Sequence, residues 1–268
     1  MRSTATSRMT QKKTKKDLLP IQRQNLIKDF LVETGFVSIA DLSEEFSVSE
    51  MTIRRDLDEL ESQGFIQRTY GGAVSSEPTF FEMSFQAKSP QYGEEKRRIG
   101  RAAAEIIKSE DTIILDSGTT TDQIIRNLKT LPTAIISNAL NVVSEAMKYP
   151  EIEVFVAGGM LRSGLNYTIG PQTSAFMETV RADILFLAVE GVDTRAGFTV
   201  PDLYNADNKR AMARAAQKVI AVTDHSKLGR VSTSSIFALE QADLLITGKE
   251  ASDECVAELR EHIDVLLV

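Results

Sequence analysis

Phe36 to Val74 reads FVSIADLSEEFSVSEMTIRRDLDELESQGFIQRTYGGAV, and its punctuation is that of a helix, a tight turn, a second helix and a wing. The pattern predicts a first helix from Ile39 to Glu45, with Phe46-Ser47-Val48 as the connection. Ser49 stands where a cap is needed, because its hydroxyl can accept a hydrogen bond from an orphan N–H of a helix running to about Gln63. Gly64 supplies a left-handed stop. At about 100° per residue, Ile53, Leu57 and Leu60 share one stripe, while Met51, Thr52, Arg55 and Glu59 fall on the other side. One face packs and the other stays free.

The pair Arg54-Arg55 near the amino end is unusual, since the helix dipole favours acids there and cations at the far end. Such a placement suits a helix whose first turns meet phosphates and base edges in a major groove. The alternative is a solvated amphipathic helix in which Arg54–Asp58 and Arg55–Glu59 are i,i+4 pairs, each contributing about 0.2–0.5 kcal/mol. The preceding helix, the tight turn and the following wing favour the groove. The wing runs from Phe65 to Tyr70 and turns at Gly71-Gly72, paired glycines that permit positive φ. Arg68 either points at a phosphate or the minor groove, or belongs to a plain hairpin that closes the small core.

The run SVSEMTIRRDLDELESQGFIQRTYGGAV, Ser47 to Val74, resembles the DNA-binding signature of the DeoR family of bacterial transcriptional regulators, with its TIRRDL helix, glycine stop and arginine-containing wing ending in GGA. It departs at Tyr70, where the family often has histidine. The resemblance implies double-stranded operator DNA as partner and Ser49, Met51, Thr52, Arg54, Arg55, Arg68 and Tyr70 as its contacts.

At 268 residues the chain is long enough for two domains. Apolar residues at 42% and charged residues at 26% fit a soluble globular protein, and no apolar run approaches the ~20 residues of a membrane span. The amino terminus does not resemble a secretory signal, and with Cys255 alone no internal disulfide forms, so a cytoplasmic location is expected. The net charge of -7 is unevenly divided: residues 1 to 75 hold eleven Lys/Arg and eleven Asp/Glu, and the remainder carries the whole deficit. Attraction to DNA must therefore come from local placement, with each phosphate contact visible in the salt dependence. Arg2, Arg8, Lys12, Lys13, Lys15 and Lys16 precede any acid, as in a disordered basic tail over 1–18, although Met9 leaves open that part of it is a start-site extension.

The domain plan that follows is a DNA-binding unit over 19–74, a Ser-, Pro- and Phe-rich linker over 75–93, and an effector-binding and oligomerisation domain over 94–268. Phe80, Phe81 and Phe85 imply that the linker packs on something. In the larger domain β-branched strands are expected at Thr112–Asp116, Thr133–Ser137, Glu153–Ala157, Ile184–Val189, Val219–Thr223, Leu244–Thr247 and Val265–Val268. Helices are expected at Glu95–Lys108, Thr120–Leu128, Leu140–Tyr149, Gln172–Val180, Ala206–Ala216 and Asp253–His262. That alternation predicts a mainly parallel α/β sheet with helices on both faces.

Ligands of such sheets collect beyond the carboxyl ends of the strands. There the chain places Asp116-Ser117-Gly118-Thr119-Thr120-Thr121, Ser137-Asn138, Gly158-Gly159, Glu190 to Asp193, and Thr223-Asp224. The hydroxyls, the glycine and the helix start of the first group suit a phosphate, although Ser and Thr also serve as ordinary caps. Each of the other pairs can be turn chemistry alone.

The segment from Glu94 to Val268 resembles the sensing domain of the same family in LDSGTTT (Leu115 to Thr121), SNAL (Ser137 to Leu140), AGG (Ala157 to Gly159), EGVDTRAGFT (Glu190 to Thr199), NKRAM (Asn208 to Met212) and TDHSKLG (Thr223 to Gly229). The resemblance implies a fold related to ribose-5-phosphate isomerase and coenzyme A transferases, and a phosphorylated sugar or similar metabolite as effector. Ser117, Gly118, Thr119, Thr120 and Thr121 are then the implied phosphate cradle, with Asp116, Asn138, Gly159, Asp193, Lys209 and Lys227 near the sugar. Many members carry Glu-Ala ahead of the matching lysine, whereas this chain has Asn205-Ala206-Asp207-Asn208-Lys209. An amide there removes a possible general base.

Three functions compete. The leading one is a repressor of carbohydrate genes, a homodimer or homotetramer that changes its hold on DNA when the effector binds. The second is a sugar-phosphate isomerase or hydrolase, for which Asp116, Asp193, Asp224, Lys227 and His225 offer titratable groups; without a complete catalytic set, no catalytic residue, metal or cofactor is expected. The third is an interaction protein whose winged module binds protein, disfavoured by Arg54, Arg55 and Arg68.

Overall fold

The computed structural model describes residues 18–34, 36–62, 65–69, 71–75 and 85–268. The chain forms two compact units, Met1–Pro78 and Thr79–Val268. The basic tail, Gly64, Tyr70, Phe80 and Phe81 lie outside the described residues, and with them the helix stop expected of Gly64 and the DNA contact expected of Tyr70.

The first unit runs α1 (Pro20–Thr34), β1 (Phe36–Ser38), α2 (Ile39–Phe46), α3 (Glu50–Ser62), β2 (Ile66–Thr69) and β3 (Gly72–Ser75). Ser38 caps α2, accepting a hydrogen bond from the Asp41 N–H at 3.0 Å, and Ser47 ends it at φ 51. The reach of α2 to Phe46 shortens the turn to Ser47-Val48-Ser49, and the Ser49 hydroxyl accepts from the Thr52 N–H at 3.2 Å as the spacing predicts. Ile53, Leu57 and Leu60 are fully buried, together with Ile27 and Phe46, and Leu42 is buried beside them. Helix α1 is not foreshadowed by the sequence pattern: Ile21 and Leu26 are exposed beside buried Ile27 and Leu31, so its apolar residues trace no clean stripe. The sheet is three-stranded, β1-β3-β2, and antiparallel. Only Gly71 uses the positive φ expected of both glycines, at +83; Gly72 is needed because a Cβ there would lie 2.0 Å from the Val37 carbonyl oxygen of the neighbouring strand.

The second unit begins with α4 (Phe85–Lys88) and α5 (Gly93–Ala104), so the last part of the expected linker is helical and belongs to this unit. The chain continues through β4 (Thr112–Leu115), α6 (Thr121–Arg126), β5 (Ala134–Ser137), α7 (Leu140–Ala146), β6 (Glu153–Val156), β7 (Met160–Arg162), β8 (Tyr167–Ile169) and α8 (Pro171–Thr179). Then follow β9 (Ala182–Ala188), β10 (Gly191–Asp193), β11 (Gly197–Val200), α9 (Leu203–Ala215), β12 (Ala216–Val222), β13 (Ser234–Phe237), β14 (Leu244–Thr247), α10 (Asp253–Leu259) and β15 (Val265–Leu267).

The seven strands read from the sequence form one wholly parallel sheet, in the order β15-β14-β12-β9-β4-β5-β6. Ile113, Leu115 and Ile135 pack with α5, α6 and α7 on one face, and Ile114, Leu185 and Leu187 pack with α8, α9 and the end of α10 on the other. The β7–β8 hairpin and the antiparallel β10-β11-β13 sheet are additions that the strand pattern did not reveal. From β4 the chain winds outward through β5 and β6, then returns to the other side of β4 at β9 and winds outward through β12, β14 and β15. The switch point is therefore the gap between β4 and β9, where a parallel sheet opens a crevice for ligands.

Candidate functional site

On the first unit the solvent face of α3 presents Met51, 69% exposed, with Arg54 and Arg55 exposed on the following turn. Arg54 reaches back to Glu50 at 3.4 Å rather than forward to Asp58. Asp58 belongs instead to Arg68, whose Nη1 donates to the Asp58 carboxylate at 2.7 Å and to the Arg54 carbonyl at 3.2 Å. Glu61 accepts from the Arg68 N–H at 3.0 Å, so the wing strand is latched to the second helix at both ends of one residue. Arg55 makes no ion pair among the described residues, and the expected Arg55–Glu59 pair is not formed. Thr52 shares its hydroxyl with Ser49 at 3.0 Å. Beneath this face a buried pair that sequence reasoning missed, Arg23 to Asp56 at 2.5 Å, ties α1 to α3, with Gln24 donating to the other carboxylate oxygen at 3.3 Å. Asp56 falls on the same stripe as Ile53, Leu57 and Leu60, so the spacing carried the signal of its burial, while its charge among charged neighbours concealed it.

In the second unit a cleft opens at the switch point, lined among others by Ser117, Gly118, Thr119, Thr120, Lys209 and Lys227. The structure brings these six predicted residues together. Asp116, fully buried, stands behind them: its carboxylate accepts from the Lys209 ammonium, from the Ser117 N–H at 2.7 Å and from the Ala188 N–H at 3.0 Å. Lys209 also donates to the Ala188 carbonyl at 2.9 Å. Asp116 thus stitches β4 to β9 and aims Lys209, and its oxygens are occupied.

Four other predicted residues are not in the cleft lining. Thr121 donates to the Gly118 carbonyl at 3.0 Å and is fully buried, which shapes the loop from behind. Asn138 donates to the Thr168 carbonyl at 2.8 Å and holds the β8 strand. Gly159 packs so closely that a Cβ would lie 2.2 Å from the Thr173 hydroxyl. Asp193 accepts from the Arg195 and Ala196 N–H groups, both at 2.8 Å, and so closes the β10–β11 turn.

The cleft adds Lys88, Lys96, Tyr167, Glu190, Asn205 and Asp224. Glu190 bridges two lysines, accepting from Lys88 and, at 2.9 Å, from Lys227. Burial alone would raise its carboxyl, but the two ammoniums outweigh burial and hold it well below the usual carboxylate range. Lys96 is lowered, first by burial and then by Lys227 and Lys88, against the pull of Asp224 at 3.8 Å. Four lysines therefore confront the carboxylates of Asp116, Glu190 and Asp224, leaving the cleft one positive charge in excess. Asn205 donates to the Tyr167 hydroxyl at 3.2 Å, and its buried Oδ1 has no partner among the described residues. Lys88 and Lys96 were hidden by their position in a polar segment; the one available signal was Phe85, an apolar residue that had to pack.

Outside the cleft, His225 meets Glu95 at 2.8 Å, and His262 lies beyond α10 and meets Glu240 at 2.7 Å. Among the described residues no group of three or more His, Cys, Asp or Glu is placed to hold a metal ion, and no helix is long and apolar enough to cross a membrane.

A winged helix-turn-helix with an arginine, Arg55, exposed on its second helix, followed in the chain by an α/β unit with a cationic cleft at its switch point, defines a DNA-binding transcriptional regulator with a sensor domain. Family models for the DeoR-like helix-turn-helix domain and for the DeoR C terminal sensor domain match residues 23–79 and 91–249. The chain belongs to the DeoR family. It is 35% identical over 248 residues to the HTH-type transcriptional regulator GlpR of Haloferax volcanii, covering 92% of this chain and 95% of that protein. It is 34% identical over 242 residues to the glycerol-3-phosphate regulon repressor of Escherichia coli, covering 90% and 96%. Among solved structures, ribose 5-phosphate isomerase A of Methanocaldococcus jannaschii is similar over 51% of this chain and 55% of that one, with 18% identity and a TM-score of 0.38.

Proposed function

We propose that the protein represses carbohydrate genes as a cytoplasmic homo-oligomer. In this reading α3 and the wing hold operator DNA, and a phosphorylated sugar or related metabolite in the cleft changes that hold. The observation that carries the reading is the cleft itself: the Ser117–Thr120 loop at the β4–β9 switch point, flanked by four lysines whose charge exceeds that of their internal partners. Such an excess favours an anion, and the backbone N–H groups and hydroxyls of the loop suit phosphate oxygens. The repressor name carried by the Escherichia coli relative, which cites a phosphorylated polyol, supports the same ligand class. A two-fold oligomer fits DNA half-sites one helical turn apart.

The ligand is bound without turnover in this reading, because Asp116 is engaged by Lys209, Ser117 and the Ala188 N–H and Asn205 is an amide. The test is a thermal-shift screen against triose, pentose and hexose phosphates, followed by operator binding with each stabilising compound on a duplex selected from random sequence. A ligand bound only by the folded state raises the melting temperature by mass action. No shift with any phosphate, or a shift with no change in DNA affinity, removes the sensor reading. Steady conversion of a sugar phosphate overturns the binding-only claim.

A further inference from the structure

Glu190 follows β9 at the centre of the rim, and its backbone N–H donates to the Thr199 carbonyl at 3.0 Å, which fixes where its side chain starts. Its two oxygens are divided between Lys88 on α4 and Lys227 on the 3-10 turn His225–Lys227, and all three side chains line the cleft that Ser117–Thr120 also line. A phosphate in that cleft has the same two ammoniums to draw on. The cleft's single excess positive charge does not match a dianion while Glu190 is paired with both lysines.

We propose that Glu190 is a built-in competitor for the effector's phosphate, and that occupancy re-pairs Lys88 and so alters α4, the first described element after the DNA-binding unit in the chain. The inference rests on the phosphate-binding reading above. Of the two lysines, Lys88 is the one better placed to respond. Lys227 sits in a turn held by Asp224, which accepts from the Ser226 N–H at 3.1 Å, and by Glu95, which accepts from the His225 N–H at 2.7 Å. Lys88 ends a four-residue helix whose last carbonyl is held by Lys96 at 2.8 Å. Lys96, the buried lysine with its nearest carboxylate oxygen at 3.8 Å, is thus joined to both the cleft and α4, so an anion drawing on Lys96 pulls on the same element. The ligand is read by the sheet rim on one side and by α4 on the other, and these two parts need not move together.

Calorimetric titration of the full-length protein with glycerol 3-phosphate and with inorganic phosphate tests this, together with amide exchange over residues 85–88. Glu190→Gln is expected to bind glycerol 3-phosphate about tenfold more tightly and Lys88→Gln about tenfold more weakly, the size of effect that one charge-assisted hydrogen bond to the phosphate carries. Lys88→Arg, which keeps the charge, recovers affinity. Glycerol 3-phosphate changes exchange at 85–88 in the wild type and leaves Lys88→Gln unchanged. Weaker binding by Glu190→Gln overturns the proposal, because Glu190 is then a ligand for sugar hydroxyls. Tight wild-type binding with an unaltered Lys88→Gln overturns it alone, while a wild type that binds neither compound and is stabilised by no phosphate in the thermal-shift screen overturns the phosphate reading as well.

Discussion

The two units use their cations in opposite ways. On α3 the arginines stand in water: Arg55 has no partner among the described residues, and Arg54 has a loose one at 3.4 Å. In the sensor cleft Lys209, Lys227, Lys88 and Lys96 each face a carboxylate within the fold, and Lys209 is 2% exposed. The difference follows from the partner each surface serves. A polyphosphate backbone is met from outside, by guanidinium groups already charged and oriented, and the response is governed by salt. A small anion must enter a place where unpaired ammoniums cannot persist, so each lysine is held beside an internal acid, with one charge left over, and the ligand competes with those acids.

The contrast breaks first at its most buried point. Lys209→Met is expected to lower stability by about 3–5 kcal/mol, because it strands the Asp116 carboxylate, and Lys209→Met/Asp116→Asn recovers much of that loss in denaturant unfolding. On the open surface Arg55→Ala leaves unfolding unchanged and weakens operator binding by about 1–3 kcal/mol if it reads a base. Unchanged affinity and salt slope would show that α3 does not enter a groove in the way proposed. Arg68→Ala sits between the two cases. Loss of the latch to Asp58 costs about 0.5 kcal/mol of stability, and an unaltered salt slope separates a structural arginine from a phosphate contact.

The mildest effect is one of curve shape. Glu190 has a folded value below its ordinary 4.5, so its stabilisation is fully present above that value and is lost as pH falls through the acid range below it. Glu190→Gln is expected to flatten that part of the stability–pH profile; an unchanged acid limb would mean that Lys88 and Lys227 do not stabilise the carboxylate in solution.

Much of this was readable in advance where a residue's type alone dictates its place. The runs Ile113–Leu115 and Ala134–Ser137 are buried on both faces, which only a covered parallel sheet provides, and Ser49 fits a cap wherever the helix lies. The strands of β10-β11-β13 were not readable, because GVD, GFTV and SSIF are short and rich in glycine, serine and threonine, the composition of loops. Among the site residues, those on the Ser117–Thr120 loop were legible because glycine and hydroxyls cluster there in sequence. Gly159 and Thr121 carry the same residue types and Asn138 and Asp193 are polar residues of the same rim, yet all four serve the backbone around them.

By itself, the sequence determined the helix-turn-helix with its capping serine, the parallel strands and the rim on which polar residues collect, because these depend on periodicity and on neighbours within a few positions. Only the tertiary structure decided which charges meet. Arg68 took Asp58, Arg23 took Asp56, and Glu190 took lysines from α4 and from a turn that lies far along the chain. A salt bridge is a matter of distance in space, and residues 88, 190 and 227 become neighbours only when the sheet has brought β9 and β12 side by side.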